Sequence, residues 1–270
     1  MKADVVFLLD VDNTLLDGDR IVNDLRAHLK RMFGVCCAQR YGAILDTLRE
    51  ELGYVDYLGA LQRYRADTEQ GSADEQRLLS MSSYLIDYPF ADRLYPRALE
   101  VIRHLGGYGP TVLLTDGDVV FQPRKLQRSG LWDAVEGRAL VCVHKERMLD
   151  AVQRHYPARH YVMVDDRLRI LAAMKAILRD RLTTILPRQG RYALNPSLDQ
   201  ALSGAQPAAD CTIEQIGELA DLDFSHLIRQ PAERSPAPEH VSARRFQRSR
   251  LPRGAVAAAG ERGPVAREIA

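Results

Sequence analysis

Asp10, Asp12 and Thr14 stand together in Leu9-Asp10-Val11-Asp12-Asn13-Thr14-Leu15, directly after the wholly apolar run 5–9. In extended backbone, residues two apart project to the same side, so this spacing turns both carboxylates toward one small ligand and sends Val11 back into the protein. Thr115-Asp116-Gly117 follows a second apolar run, where a hydroxyl and newly exposed backbone amides can hold an anionic oxygen. Lys145 follows a third run and can neutralise a phosphoryl group, with Lys125 as the rival for that part. Asp165 and Asp166 follow a fourth. Four carboxylates gathered in one place repel each other, and the usual remedy is a hard divalent cation with oxygen ligands, of which magnesium fits best.

These residues need a scaffold that brings four strand ends together. Residues 5–9, 111–114, 139–143, 161–164 and 183–186 are short apolar runs of the kind buried on both faces, and helical stretches separate them. That alternation predicts an α/β protein with a doubly wound parallel sheet, which binds ligands at the carboxyl ends of its strands. Between the first two runs lie about a hundred residues, where a crossover needs only a dozen or so. Within that stretch Ile21, Leu25, Leu29 and Met32 repeat at helical spacing after Asp19 as the expected N-cap, and Gly34 closes the helix. Ile44, Leu45, Leu48 and Leu52 form a second stripe, and further helices are expected around 58–64 and 78–85. The expected organisation is a core of residues 1–18 and 92–228, a small all-helical subdomain over 19–91 placed to act as a lid, and a disordered Arg-, Pro- and Ala-rich tail over 229–270.

Composition narrows the function classes. The 270 residues are 46% hydrophobic, and 37 Lys and Arg nearly balance 36 Asp and Glu, so no global field announces a nucleic-acid or membrane partner. Contact with nucleic acid is expected, if at all, through the Arg-rich tail, where only Phe246 interleaves the arginines. Cys36, Cys37, Cys142 and Cys211 lack metal-ligand spacing and are read as reduced thiols. With no charged leader and no apolar run of bilayer length, a cytoplasmic location is expected. The Gly106-Gly107-Tyr108-Gly109 cluster precedes a strand where a dinucleotide loop would follow one.

Taken in order, Asp10-Val11-Asp12-Asn13-Thr14, Thr115, Lys145 and Asp165-Asp166 resemble the four motifs of the haloacid dehalogenase superfamily, over roughly residues 1–222. The resemblance implies a Rossmann-like core, and the helical insertion looks like that superfamily's C1 cap. It implies that Asp10 is a nucleophile forming an aspartyl phosphate, and that Asp12 protonates the leaving group and then activates water. It further implies that Asp10, the Asp12 backbone carbonyl and Asp166 hold magnesium, with Asp165 a further ligand directly or through water. Thr115 would bind phosphoryl oxygens with nearby amides, Thr14, Asp116 and Gly117 would line the substrate site, and Lys145 would balance charge and position Asp10. The pattern departs at Asn13, where many members have Gly or Asp, at Lys145, which lacks the proline often following it, and at Arg167, where a small residue is common.

The expected activity is magnesium-dependent hydrolysis of a small phosphorylated metabolite, with substrate choice written in the inner face of the lid, for which Arg40, Tyr41, Arg63 and Tyr64 are candidates. Dehalogenases of the superfamily resemble a pattern without the second acid, because a halide leaves unprotonated; phosphomutases share the core residues. Outside the enzymes, the alternatives are a scaffold that keeps this fold and a receiver-type signalling domain, whose paired acids come early in the chain and not last.

Overall fold

The computed structural model describes residues 2–67, 73–195 and 208–228; the tail expected over 229–270 lies outside them. Strand β1 (Ala3–Leu9) is followed by helices α1 (Gly18–Leu52), α2 (Tyr57–Ala66) and α3 (Ala73–Asp87) before α4 (Ala98–Gly106) returns the chain to β2 (Thr111–Asp116). Then come α5 (Phe121–Ser129), α6 (Leu131–Ala134), β3 (Ala139–Cys142), α7 (Leu149–His155), β4 (Ala158–Val164), α8 (Leu168–Leu178), β5 (Leu182–Pro187), α9 (Gly190–Leu194) and β6 (Cys211–Ile213). The five expected strands are present; β6, three residues long, gives no readable pattern in the sequence.

All pairings in the six-stranded sheet are parallel, in the order β3-β2-β1-β4-β5-β6. Strand β1 is apolar at every position from Val5 to Leu9 because both its faces are covered. Val5, Phe7 and Leu9 pack with Val101, Ile102 and Leu105 of α4, while Val6 and Leu8 pack with Ile170, Leu171 and Met174 of α8. The chain order reverses between β1 and β4, whose registered last pair is Leu9 with Val164. Asp10 and Asp165 are the next residues on each strand, so the crevice of this switch point opens on the two carboxylates.

Between β1 and α4, the helical insertion has its own apolar cluster, built from Ile21, Leu25, Leu29, Leu48, Leu61, Met81 and Leu85 and joined by Phe121 of α5. Three expectations there need correction. The N-cap of α1 is Asp17, whose carboxylate accepts from the Arg20 amide; Asp19 sits inside the first turn, already helical. Gly34 breaks the helix with φ 81° and ψ 175°, as its freedom from a Cβ allows, yet the helix resumes immediately and runs to a left-handed Gly53. Met32, expected in the buried stripe, is 38% exposed. Among the described residues no helix is long and apolar enough to cross a membrane, and the four cysteines are free thiols.

Candidate active site

Asp10 is held at the sheet edge by its own amide, which donates to Val164 O at 3.0 Å, and its side chain is almost fully buried. The turn that follows reverses sharply at Asn13 with φ 61°, a left-handed conformation that costs Asn less than most residues. The Asn13 side chain accepts from the Asp19 amide at 3.0 Å, tying this turn to the start of α1. Gln189, after β5, donates to Asn13 O at 3.2 Å and Thr14 O at 2.7 Å and so clamps the turn from beneath. Gly190 follows at φ +73°, and a Cβ there would lie 2.4 Å from Asn13 Cβ. Glycine is what lets these two turns touch.

Lys145 is buried, and its Nζ hydrogen-bonds Asp10 Oδ1. It also lies 2.7 Å from Asp165 Oδ2, an ion pair whose angle falls outside hydrogen-bond geometry. The lysine's position is set from behind: its backbone amide donates to Asp116 Oδ1 at 2.8 Å, which ties the end of β2 to the turn after β3. Lys125 serves a different acid. Its Nζ contacts both oxygens of Asp12, at 2.7 and 2.8 Å, and Gln122 Nε2 adds a third donor at 3.1 Å. The two candidate lysines therefore divide the two aspartates, Lys145 on Asp10 and Lys125 on Asp12.

The same Gln122 amide reaches Thr115 Oγ1 at 2.9 Å and Asp116 O at 2.9 Å, so one side chain braces Asp12 against the end of β2. Thr115 and Asp116 line the cleft. Two residues read as substrate-facing stand behind its wall instead. Thr14 is fully buried and its hydroxyl accepts from the Asp166 amide at 3.2 Å, while the Gly117 amide is engaged by Cys142 O at 3.0 Å. Strand pairing has already taken the donor that the exposed-amide argument required.

Asp10, Asp165 and Asp166 each bring a carboxylate oxygen to within 4.8 Å of the others, and all three are buried. Burial, opposed by Lys145 and assisted by the charge of Asp165, pushes the Asp10 carboxyl up to about 6. Burial and then the neighbouring Asp10 hold Asp166 well above the usual carboxylate range. Although burial alone would lower the Lys145 ammonium, Asp10 and Asp165 outweigh it and raise the group above its ordinary value. Asp166 Oδ2 is buried without a hydrogen-bond donor. A buried acceptor left without a donor, beside two further carboxylates and a single ammonium, is the donor set a hard oxygen-seeking cation fits.

The site opens into a cleft of about 790 Å³ between the sheet edge and the insertion. From the insertion its wall takes Val22, Arg49, Tyr54, Val55 and Tyr57, and from the core His144, Arg167, Arg191 and Tyr192 among others. None of the four specificity candidates is on it. Arg40 pairs with Asp67, Arg63 with Glu51, Tyr64 is buried beneath Arg40, and the buried Tyr41 hydroxyl donates to Tyr57 O. Gln122, Arg49, Arg191 and Tyr192 are not legible in the sequence; an arginine four residues before a helix-ending glycine, or directly after Gly190, carries no local signal of its own. His144 also lines the cleft, and its ring packs so tightly on Gly53 that a Cβ there would lie 2.5 Å from Cε1.

A model of the haloacid dehalogenase-like hydrolases matches residues 5–177. Among solved structures, a haloacid dehalogenase-like hydrolase of Burkholderia xenovorans LB400 is 59% identical, with 84% of this chain and 100% of that chain covered and a TM-score of 0.76. The hydrolase YfnB of Bacillus subtilis, solved bound to magnesium, is 16% identical over 82% of this chain and 98% of that one, with a TM-score of 0.51. A 2-haloacid dehalogenase of Pseudomonas syringae is 15% identical over 82% and 97%, with a TM-score of 0.53. The last two likenesses speak to the fold alone. No curated protein matches the chain.

Proposed function

The chain belongs to the haloacid dehalogenase-like hydrolases, and from that premise we propose that it hydrolyses a small phosphomonoester through an aspartyl phosphate on Asp10, with magnesium as cofactor and the helical insertion as its cap. The observation that carries this reading is Asp12, a second acid on the cleft wall two residues beyond the buried Asp10. A phosphate ester's leaving alkoxide needs a proton, whereas a halide does not, so a nucleophile alone suffices for dehalogenation and a nucleophile with a neighbouring acid suits phosphate transfer.

In this reading Lys145 fixes Asp10 by one oxygen and leaves the other to attack phosphorus, with the ester oxygen departing in line. Asp12 gives its proton to that oxygen, then takes one from the water that attacks the aspartyl phosphate, which frees phosphate and restores both acids. Lys125 and Gln122 hold the Asp12 side chain against swinging away, and Thr115, on the cleft wall, would meet a phosphoryl oxygen. A divalent cation held by Asp10, Asp165 and Asp166 would favour their ionised forms and offset charge on the phosphoryl group.

The test is magnesium-dependent release of phosphate from aryl and alkyl phosphates by the wild-type protein and Asp12→Asn. The variant should lose about 100-fold or more on alkyl phosphates and clearly less on aryl phosphates, whose leaving groups need no proton. Equal losses on both would remove Asp12 as the acid; halide release from 2-haloacids without phosphate turnover would replace the reading with dehalogenation.

A further inference from the structure

One stretch of the cleft wall is basic, and it is assembled from three separate parts of the chain. Arg49 comes from the last turn of α1, Arg167 directly follows Asp166, and Arg191 belongs to α9 after β5. All three guanidinium groups gather around the single ring of Tyr192, with Cζ 5.8, 4.8 and 5.0 Å from its centroid, and Arg49 also donates to the Tyr192 hydroxyl. Asp19 anchors one side, accepting from the Arg191 amide at 2.7 Å and pairing with its Nε at 3.2 Å.

Like charges crowded at a partly buried position oppose one another. Burial, then Arg191 and Arg167, push the Arg49 guanidinium below its ordinary value. One aromatic ring offers its electron-rich faces to cations and Asp19 balances Arg191, yet all three side chains line the same stretch of the cleft. An oxyanion suits such a wall, because planar guanidinium groups present paired donors that match carboxylate and phosphate. Since these residues share one cleft with Asp10 and Asp12, such an anion would belong to the same molecule as the group under attack.

We propose that Arg49, Arg167 and Arg191 form an oxyanion subsite, so that the phosphomonoester cleaved at Asp10 carries a second anionic group, a carboxylate or a further phosphate. The identity of the substrate rests on the phosphatase reading, whereas the subsite can be measured without turnover. The experiment is calorimetric titration, in magnesium, with phosphonocarboxylates of increasing chain length, each against the alkylphosphonate of equal length, with alkane bisphosphonates as a third arm. At least one doubly anionic member should bind about tenfold or more tightly than its singly anionic counterpart, the scale of one charge-assisted contact. The better of the carboxylate and bisphosphonate arms identifies the second group. In Arg49→Gln and Arg191→Gln that preference should fall to about threefold or less, with folding checked by circular dichroism. A wild-type preference near unity across the series, or no measurable binding of any member, overturns the subsite, and a preference that survives in both folded variants overturns its assignment to these arginines. Failure of the phosphatase reading would show separately, as absent phosphate release from aryl phosphates by a protein that still discriminates among the phosphonates.

Discussion

Replacing Asp10 by Asn should destroy activity and, with metal chelated, make the protein more stable. The Asp10 carboxyl rises from 3.8 to about 6 in the fold because burial outweighs the attraction of Lys145. Between those two values the native state holds a proton that the unfolded chain has released, so stability is full below 3.8 and falls as pH rises through about 6. Two pKa units at about 1.4 kcal/mol each make the ionised form cost about 3 kcal/mol at pH 7.5, against about 1 kcal/mol at pH 4.5. Asn stands in for the protonated acid: it is neutral, nearly isosteric, and its carbonyl still accepts from Lys145, which keeps Asp165 as its charged partner. The expected gain is therefore about 3 kcal/mol near neutrality, a rise in Tm of roughly 6–12 °C for a folded unit of this size, shrinking to about 1 kcal/mol in acid. Relief of Asp166, whose carboxyl Asp10 helps to raise, adds in the same direction. Scanning calorimetry of both proteins in chelator at the two pH values measures it, and added magnesium should close the gap by stabilising the wild type. A gain that does not depend on pH, or a loss at neutrality, would mean that the Lys145 pair outweighs desolvation and that the carboxylates do not await a cation.

Lys145→Met leaves Asp10 and Asp165 buried without their counter-charge and should cost about 3–5 kcal/mol in urea unfolding, less in acid, where the Asp10 carboxyl is protonated. Lys125→Met should act on chemistry more than stability, because its partner Asp12 is 38% exposed at the side chain. Turnover of alkyl phosphates should drop roughly 10- to 100-fold with little change in Tm, and an unchanged rate would show that Asp12 needs no tether. Gly190→Ala places a Cβ 2.4 Å from Asn13 Cβ at a positive φ and should cost about 1–3 kcal/mol together with much of the activity, since the Asp12–Thr14 turn must shift; wild-type values in both assays would contradict that contact.

How far each part could be read in advance follows from the range of the forces involved. Strands buried on both faces announce themselves, because every residue from Val5 to Leu9 must be apolar, and Asp10 is conspicuous as the first charge after such a run. Local pattern also located the insertion, as a stretch too long for a crossover. It failed where two similar residues compete for one task. Asp17 and Asp19 both precede the periodic stripe, and only the geometry of the first turn gives the cap to Asp17 while Asp19 turns to Arg191. Arg40 and Arg49 lie on one helix of the insertion, but packing of Leu48 and Tyr41 inward leaves Arg40 with Asp67 and sends Arg49 to the cleft.

The sequence by itself determined the α/β order, the family, and which acids stand at the strand ends, since burial periodicity and the Asp10-Val11-Asp12 spacing are properties of neighbouring residues. Only the tertiary structure decided which lysine meets which aspartate, that Thr14 and Gly117 work from behind the wall, and that three arginines meet at Tyr192. Those outcomes join residues up to 152 positions apart, from Thr14 to Asp166, and the register and rotation that bring them together are set by the packing of whole elements, a cooperative quantity that no local window contains.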